Sequence, residues 1–202
     1  MSLTTKKPRC GTILHIVGAS GAGKSYKANQ SSLAFKKRCI FDLDRGFQHL
    51  SRDGDTFCDA TDPDEIFSDV RAAIAGDYDC IVFDGFSEFW NGLCSKRATK
   101  AKDGKSYVDP GQYTGLNREV SDLLCRVKAS GKTLIITQQE KEKKNQKGEV
   151  VGWDFDGSQA PFRWADAGKR IVRQKNGSRT EEVTKKRDPK GEAVTEEVKT
   201  EE

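Results

Sequence analysis

The stretch TILHIVGASGAGKS, residues 12–25, constrains the chain more than any other: an apolar, β-branched run passes into GASGAGKS and then into the helix-compatible SYKANQSSLAFKK. Gly18, Gly23, Lys24 and Ser25 meet the spacing GxxxxGK[ST], and a strand before it with a helix after it is the context this spacing needs. Glycines let successive backbone N–H groups turn inward around an anion, and the helix N-terminus adds partial positive charge. The stretch therefore predicts a phosphate cradle made of Gly18, Ala19, Ser20, Gly21, Ala22, Gly23, Lys24, Ser25 and Tyr26. In it Lys24 reaches the outer phosphates of a nucleotide such as ATP, and Ser25 offers a hydroxyl to Mg2+.

A chain that opens this way has to continue as strands alternating with helices, and it does. Apolar runs at 39–43, 80–84 and 133–137 predict further strands of a mostly parallel sheet flanked by helices. The helix opened by Lys24 is expected to run to about Lys37. A second helix start is written at Asp62-Pro63-Asp64-Glu65, with a cap, a proline at the first helical position and a glutamate three residues after the cap. Leu116, Val120, Leu123, Leu124 and Val127 repeat at helical spacing, and Ser130-Gly131 ends that helix. Residues 169–174 and 179–185, joined through Asn176-Gly177, read as a hairpin appended to the sheet. Residues 1–190 are expected to form one α/β domain with C-terminal antiparallel strands, and residues 191–202 a charged tail.

Composition excludes several classes. No apolar run approaches the roughly 18 residues of a membrane span, and the basic first residues lead into no signal-like apolar segment, so a cytoplasmic protein without a membrane partner is expected. The six cysteines show no CxxC spacing, which argues for buried or free thiols and against a metal cluster. The net charge of +4 is unevenly laid down. Residues 1–40 carry eight bases and no acid, and residues 41–90 carry 13 acids against three bases.

That acidic middle supplies what a phosphate cradle lacks. CIVFD ends at Asp84, a carboxylate delivered to the carboxyl edge of the sheet, where it can hold the metal together with Ser25. Hydrolysis also needs a group that orients water, and two strand ends offer one: Asp42 and Asp44 in IFDLD, and Gln138 and Gln139 after LIIT.

The order GASGAGKS, IFDLDRG, CIVFDGF, LIITQQ, followed by a polar loop and late antiparallel strands, resembles the RecA-like P-loop ATPase core over roughly residues 11–190. It is most similar to short phage-encoded ATPases that accompany single-strand annealing and recombination. The resemblance implies that Lys24 is catalytic, that Asp44 is the water-activating carboxylate, usually a glutamate, and that Gln138 senses the γ-phosphate. It also implies two mobile loops that bind single-stranded DNA. The loop after Asp84 carries Lys96, Arg97, Lys100, Lys102 and Lys105, and the loop after Gln138 carries Lys143, Lys144 and Lys147, with aromatic residues interleaved. VTKKRDPKG resembles the segment through which such subunits reach a neighbour's nucleotide, which would make Lys185 and Arg187 trans-acting charges in a homo-oligomeric ring or filament.

On this reading the chain is an Mg2+-dependent, DNA-stimulated ATPase acting in recombination, annealing or replication. Two alternatives share the cradle: a small-molecule or nucleotide kinase, and a nucleotide-gated adaptor for a replication or recombination protein.

Overall fold

The computed structural model describes residues 10–100, 106–187 and 193–194. Strand β1 (Thr12–Gly18) is followed by the glycine-rich turn and helix α1 (Lys24–Ser32). Then come β2 (Arg38–Asp42), a 3-10 turn (Gln48–Leu50), β3 (Thr56–Cys58), α2 (Pro63–Ala75), β4 (Cys80–Asp84) and α3 (Phe86–Arg97). A two-strand ribbon, β5 (Thr99–Lys100) with β6 (Ser106–Tyr107), leads into α4 (Pro110–Ser130) and the long β7 (Thr133–Lys144). β8 (Val150–Phe155), α5 (Ala160–Trp164), β9 (Ala167–Arg173), β10 (Arg179–Arg187) and β11 (Ala193–Val194) complete it.

The sheet runs β11-β10-β9-β1-β7-β4-β2-β3. From β9 to β3 every pairing is parallel, while β10 pairs antiparallel with β9, β11 with β10, and β8 with the outer half of β7. The expected mixed sheet is therefore present. Because β1, β2, β4 and β7 are parallel, the phosphate cradle, the acids at the ends of β2 and β4, and the continuation of β7 all lie at one edge of the sheet.

Strand alternation divides the core into two faces. Ile13, Phe41, Ile81, Phe83, Leu134 and Ile136 face one way and pack with α2, α3 and α4. Ile16, Ile40, Val82 and Ile135 face the other, against Ala28 of α1 and Phe47. Each such side chain, fully buried, stabilises the fold by about 1.5–3 kcal/mol relative to its exposed form.

Local chemistry sets the helix ends. Asp62 caps α2 by accepting from Asp64 N at 2.9 Å, with Pro63 in the first turn, as its sequence predicts. Asp109 and Gln112 form a reciprocal cap on α4, which starts ahead of the periodic leucines. α1 ends at Ser32, short of the expected Lys37. There the buried Arg38 guanidinium takes over, donating to Asn29 Oδ1 and Ser32 Oγ at 2.7 Å each and so turning the chain into β2.

The largest departure concerns residues 86–97. Expected as part of a mobile loop, they form α3, whose Phe86, Phe89, Trp90 and Leu93 are buried in the core. Trp90 is only 3% exposed and packs edge-on against Tyr113, so it is no stacking platform for bases. Among the described residues, no helix is long and apolar enough to cross a membrane.

Candidate active site at the carboxyl edge of the sheet

The cradle is built from backbone freedom and close approach. A Cβ on Gly18 would lie 2.5 Å from Ile171 O, so only glycine lets β1 turn out beside β9. Gly21 and Gly23 hold φ of 70° and 101°, a left-handed conformation that side chains resist. No side chain caps α1 and its first turn holds no acid, which leaves its leading N–H groups for an anion. Lys24, 6% exposed, donates from Nζ to Ala19 O at 3.0 Å across the loop. Burial pulls its pKa down from the ordinary lysine value, and the carboxylates of Asp44, Asp84, Glu88 and Glu140 counteract the shift. Arg179 of β10 stands against Gly23, with its Nε 2.9 Å from where a Cβ would sit.

Beside the cradle is an acidic corner. Thr137 Oγ1 donates to Asp84 Oδ1 at 2.6 Å, while Asp84 Oδ2 is buried without a partner of normal geometry. Asp42, Asp44 and Asp84 can each bring an oxygen within 4.8 Å of the others. A Cβ on Gly46 would lie 2.4 Å from Ser25 Oγ and 3.0 Å from both Asp44 Oδ1 and Asp84 Oδ2, so these three oxygens converge on the one place where Gly46 leaves room. Burial, reinforced by the charge of Asp44, pushes the Asp84 carboxyl up to about 7. A cluster of hard oxygens around an unpartnered buried carboxylate oxygen fits Mg2+. Ser25 and Asp84 would hold it with Asp44 alongside, and the bound ion would neutralise phosphate charge.

The domain signature agrees with this site. A family model described as an AAA domain matches residues 11–163, about three quarters of the chain. The chain belongs to the AAA domain family. No curated protein matches it. The matched stretch carries the cradle, the acidic corner and the β7–β8 hairpin of this AAA-type P-loop ATPase, while β9 and β10 lie beyond it.

Other residues singled out in the sequence fall differently. Gln138 is fully buried on the face opposite α1. Its Nε2 donates to Asp156 O at 3.1 Å and Ser158 O at 3.0 Å, so its Oε1 must accept from His15 Nε2, 2.9 Å away. It is therefore not brought to the phosphate cradle. Gln139, one residue on, pairs in register with Gly18 and donates from Nε2 to Glu88 Oε1 at 2.7 Å. Glu88, which no motif in the sequence marks, stands on the first turn of α3 with Oε2 buried and unpartnered.

The basic residues divide. Lys96 is ion-paired with Asp62 and Asp64, and Arg97 with Asp64, which staples the end of α3 to the start of α2 rather than offering those charges to a ligand. Lys102, Lys105 and the side chain of Lys100 lie outside the described residues. Lys143, Lys144 and Lys147 are exposed on the β7–β8 hairpin and its turn. Lys185 is directed inward: Nζ donates to Phe162 O at 2.6 Å and Arg163 O at 2.8 Å, neutralising the carbonyl end of α5 within its own subunit. The Arg187 side chain lies outside the described residues.

Proposed function

We propose that this AAA-family chain binds ATP with Mg2+ at Gly18–Ser25, hydrolyses it, and uses the nucleotide state to control a single-stranded DNA contact on the β7–β8 hairpin. The observation that carries the enzymatic part is the convergence of Ser25, Asp44 and the unpartnered Asp84 Oδ2 beside a buried Lys24. The hairpin is continuous with β7, the strand hydrogen-bonded to the cradle strand β1. At its root, Arg170 bridges Glu140 and Glu182 and lies 4.9 Å over the Trp153 ring, around a cavity of about 480 Å3 that Ala19 also lines. A phosphate at Ala19 is thus one side chain away from the hairpin's anchoring charges. Lys143 and Lys147 on the hairpin carry no ion pair among the described residues, which suits phosphate contact.

ATP turnover of wild type and Lys24→Ala, measured across a single-stranded DNA titration, tests this. Turnover that rises with DNA and vanishes in the variant is expected, and equal rates at every DNA concentration would contradict the coupling.

One observation favours a second reading, phosphoryl transfer to a small acceptor. A cavity of about 380 Å3 adjoins the acidic corner, bounded by Asp42, Arg45, Phe57, Glu88 and Phe89. Labelled phosphate appearing on a nucleoside or nucleoside monophosphate, instead of as inorganic phosphate, would select it.

A further inference from the structure

We propose that Glu88 is the carboxylate that holds and deprotonates the attacking water in this chain, with Gln139 as its positioning residue. The inference rests on the reading of the chain as an ATP-hydrolysing enzyme. A water-activating carboxylate needs an oxygen free to accept a proton, close to the cation corner but not part of it. Asp44 does not meet that condition, because its Oδ1 converges with Ser25 Oγ and Asp84 Oδ2 on the space over Gly46 and accepts from Gly46 N at 3.1 Å. A carboxylate turned into that corner is not the one turned toward an attacking water.

Glu88 meets it. In a helix each Cα–Cβ bond tilts toward the N-terminus, so the third residue of α3 aims back at the edge where Asp84 has just left β4. Gly85, with φ 95°, clears the way: a Cβ there would stand 3.2 Å from Glu88 Oε2 and 3.0 Å from Asp44 N. The carboxylate is held at one end only. Oε1 accepts from Gln139 Nε2, and Oε2 is buried with no partner. Glu88 is also among the carboxylates whose charge bears on the Lys24 ammonium.

A glutamate at this helical position commonly turns back to cap its own helix. That role is closed here, because Gly85 N already donates to Thr137 Oγ1 at 3.0 Å. Gln139 is fixed in turn: its N donates to Ser87 Oγ at 2.9 Å, and Ser87 Oγ donates to Asp156 O at 2.8 Å. Glu88 also lines the cavity along Asp42, Arg45 and Phe57, which has room for water.

In the step, the water oxygen bonds to the γ-phosphorus and the bond from that phosphorus to the β,γ-bridging oxygen breaks. ADP leaves with the electron pair, and the proton of the water passes to Glu88 Oε2, from which it returns to solvent.

Glu88→Gln keeps the size of the side chain and the Oε1 acceptor for Gln139, and removes only the base. Its turnover should fall at least 100-fold, within the range of general-base removal. Affinity for a fluorescent ATP analogue should stay within about threefold of wild type, as expected when an interaction specific to the transition state is lost. The variant should still form the ADP–beryllium fluoride complex, which needs no water, and lose the ADP–aluminium fluoride complex, which needs one in line. Gln139→Met should lower kcat about tenfold with the same affinity preserved. Wild-type turnover in Glu88→Gln, or loss of both fluoride complexes together, would overturn the assignment. Absence of hydrolysis in the wild-type protein would instead overturn the reading on which it rests.

Discussion

A single methyl group at Gly46 is enough to test the cation corner. Its backbone lies outside the left-handed region, so alanine fits the chain, but the added Cβ would meet Ser25 Oγ at 2.4 Å. Ser25 or the carboxylates must move, and with them the oxygens proposed to hold Mg2+. Gly46→Ala should lower ATP turnover at least tenfold and raise the Mg2+ concentration needed for half-maximal rate. The melting temperature should shift by less than about 4 °C, because no core contact is lost. An unchanged Mg2+ titration would separate Gly46 from the metal. Much of this site can be read from residue types: a GxxxxGKS loop and strand-terminal acids point to Lys24, Ser25, Asp44 and Asp84 without coordinates. Gly46 cannot be found that way, because its role is a vacancy defined by three side chains from three segments. Nor can the choice between Gln138 and Gln139, which depends on the pairing of β7 with β1 and β4 and therefore on which face each amide takes.

Among elements, β2 and β1 carry buried groups whose removal has a calculable sign. Arg38 and Asp55 are 0% and 1% exposed as a pair, with Arg38 Nε 2.7 Å from Asp55 Oδ1. Burial alone would raise the Asp55 carboxyl, yet the Arg38 hydrogen bonds hold it below its ordinary value. Asp55→Ala leaves the guanidinium buried with its charge uncompensated, and should cost about 3–5 kcal/mol in urea unfolding. On β1, burial drives the His15 imidazole down to about 4, against the Gln138 hydrogen bond and with help from the charge of Lys185. The unfolded chain takes up that proton first, near pH 6.5. Stability is therefore full above pH 6.5 and lost as pH falls toward 4, by on the order of 3 kcal/mol. Between pH 7 and pH 4.5 the urea midpoint of His15→Gln should fall less than that of wild type, and parallel pH curves would refute the assignment. The elements themselves were largely legible: the caps at Asp62, the stop at Gly131 and the parallel-strand runs stand where the patterns put them. Helix α3 was legible too, since Phe86, Phe89, Trp90 and Leu93 recur at helical spacing. The lysines that follow it, and the resemblance to loop-bearing ATPases, point instead to a loop.

Across the whole molecule, the proposed single-stranded DNA contact has to be assigned to one basic surface, and α3 is folded into the core. Lys96 and Arg97 have partners in Asp62 and Asp64, and a phosphate would have to displace carboxylates already in place. The hairpin offers the opposite arrangement. Lys143 and Lys147 are exposed on a two-stranded extension of the central sheet, whose second strand carries the exposed Val150 and Val151, each 57% accessible, and Trp153. Its strand β7 carries Gln139, the partner of Glu88, one residue before the hairpin pairing begins at Glu140, so the proposed DNA contact and the proposed base are joined through one strand. Replacing both Lys143 and Lys147 with glutamate should weaken single-stranded DNA binding at least tenfold in fluorescence anisotropy. If each lysine neutralises one phosphate, the slope of log affinity against log salt should become shallower by about 1.4. Basal ATP turnover should not change, because neither side chain approaches the cradle. Lys96→Ala should leave DNA affinity and its salt slope at wild-type values while costing stability less than about 1 kcal/mol, as expected of an exposed ion pair. If the two substitutions exchange these outcomes, the nucleic-acid surface belongs to α3 and the hairpin carries no strand contact.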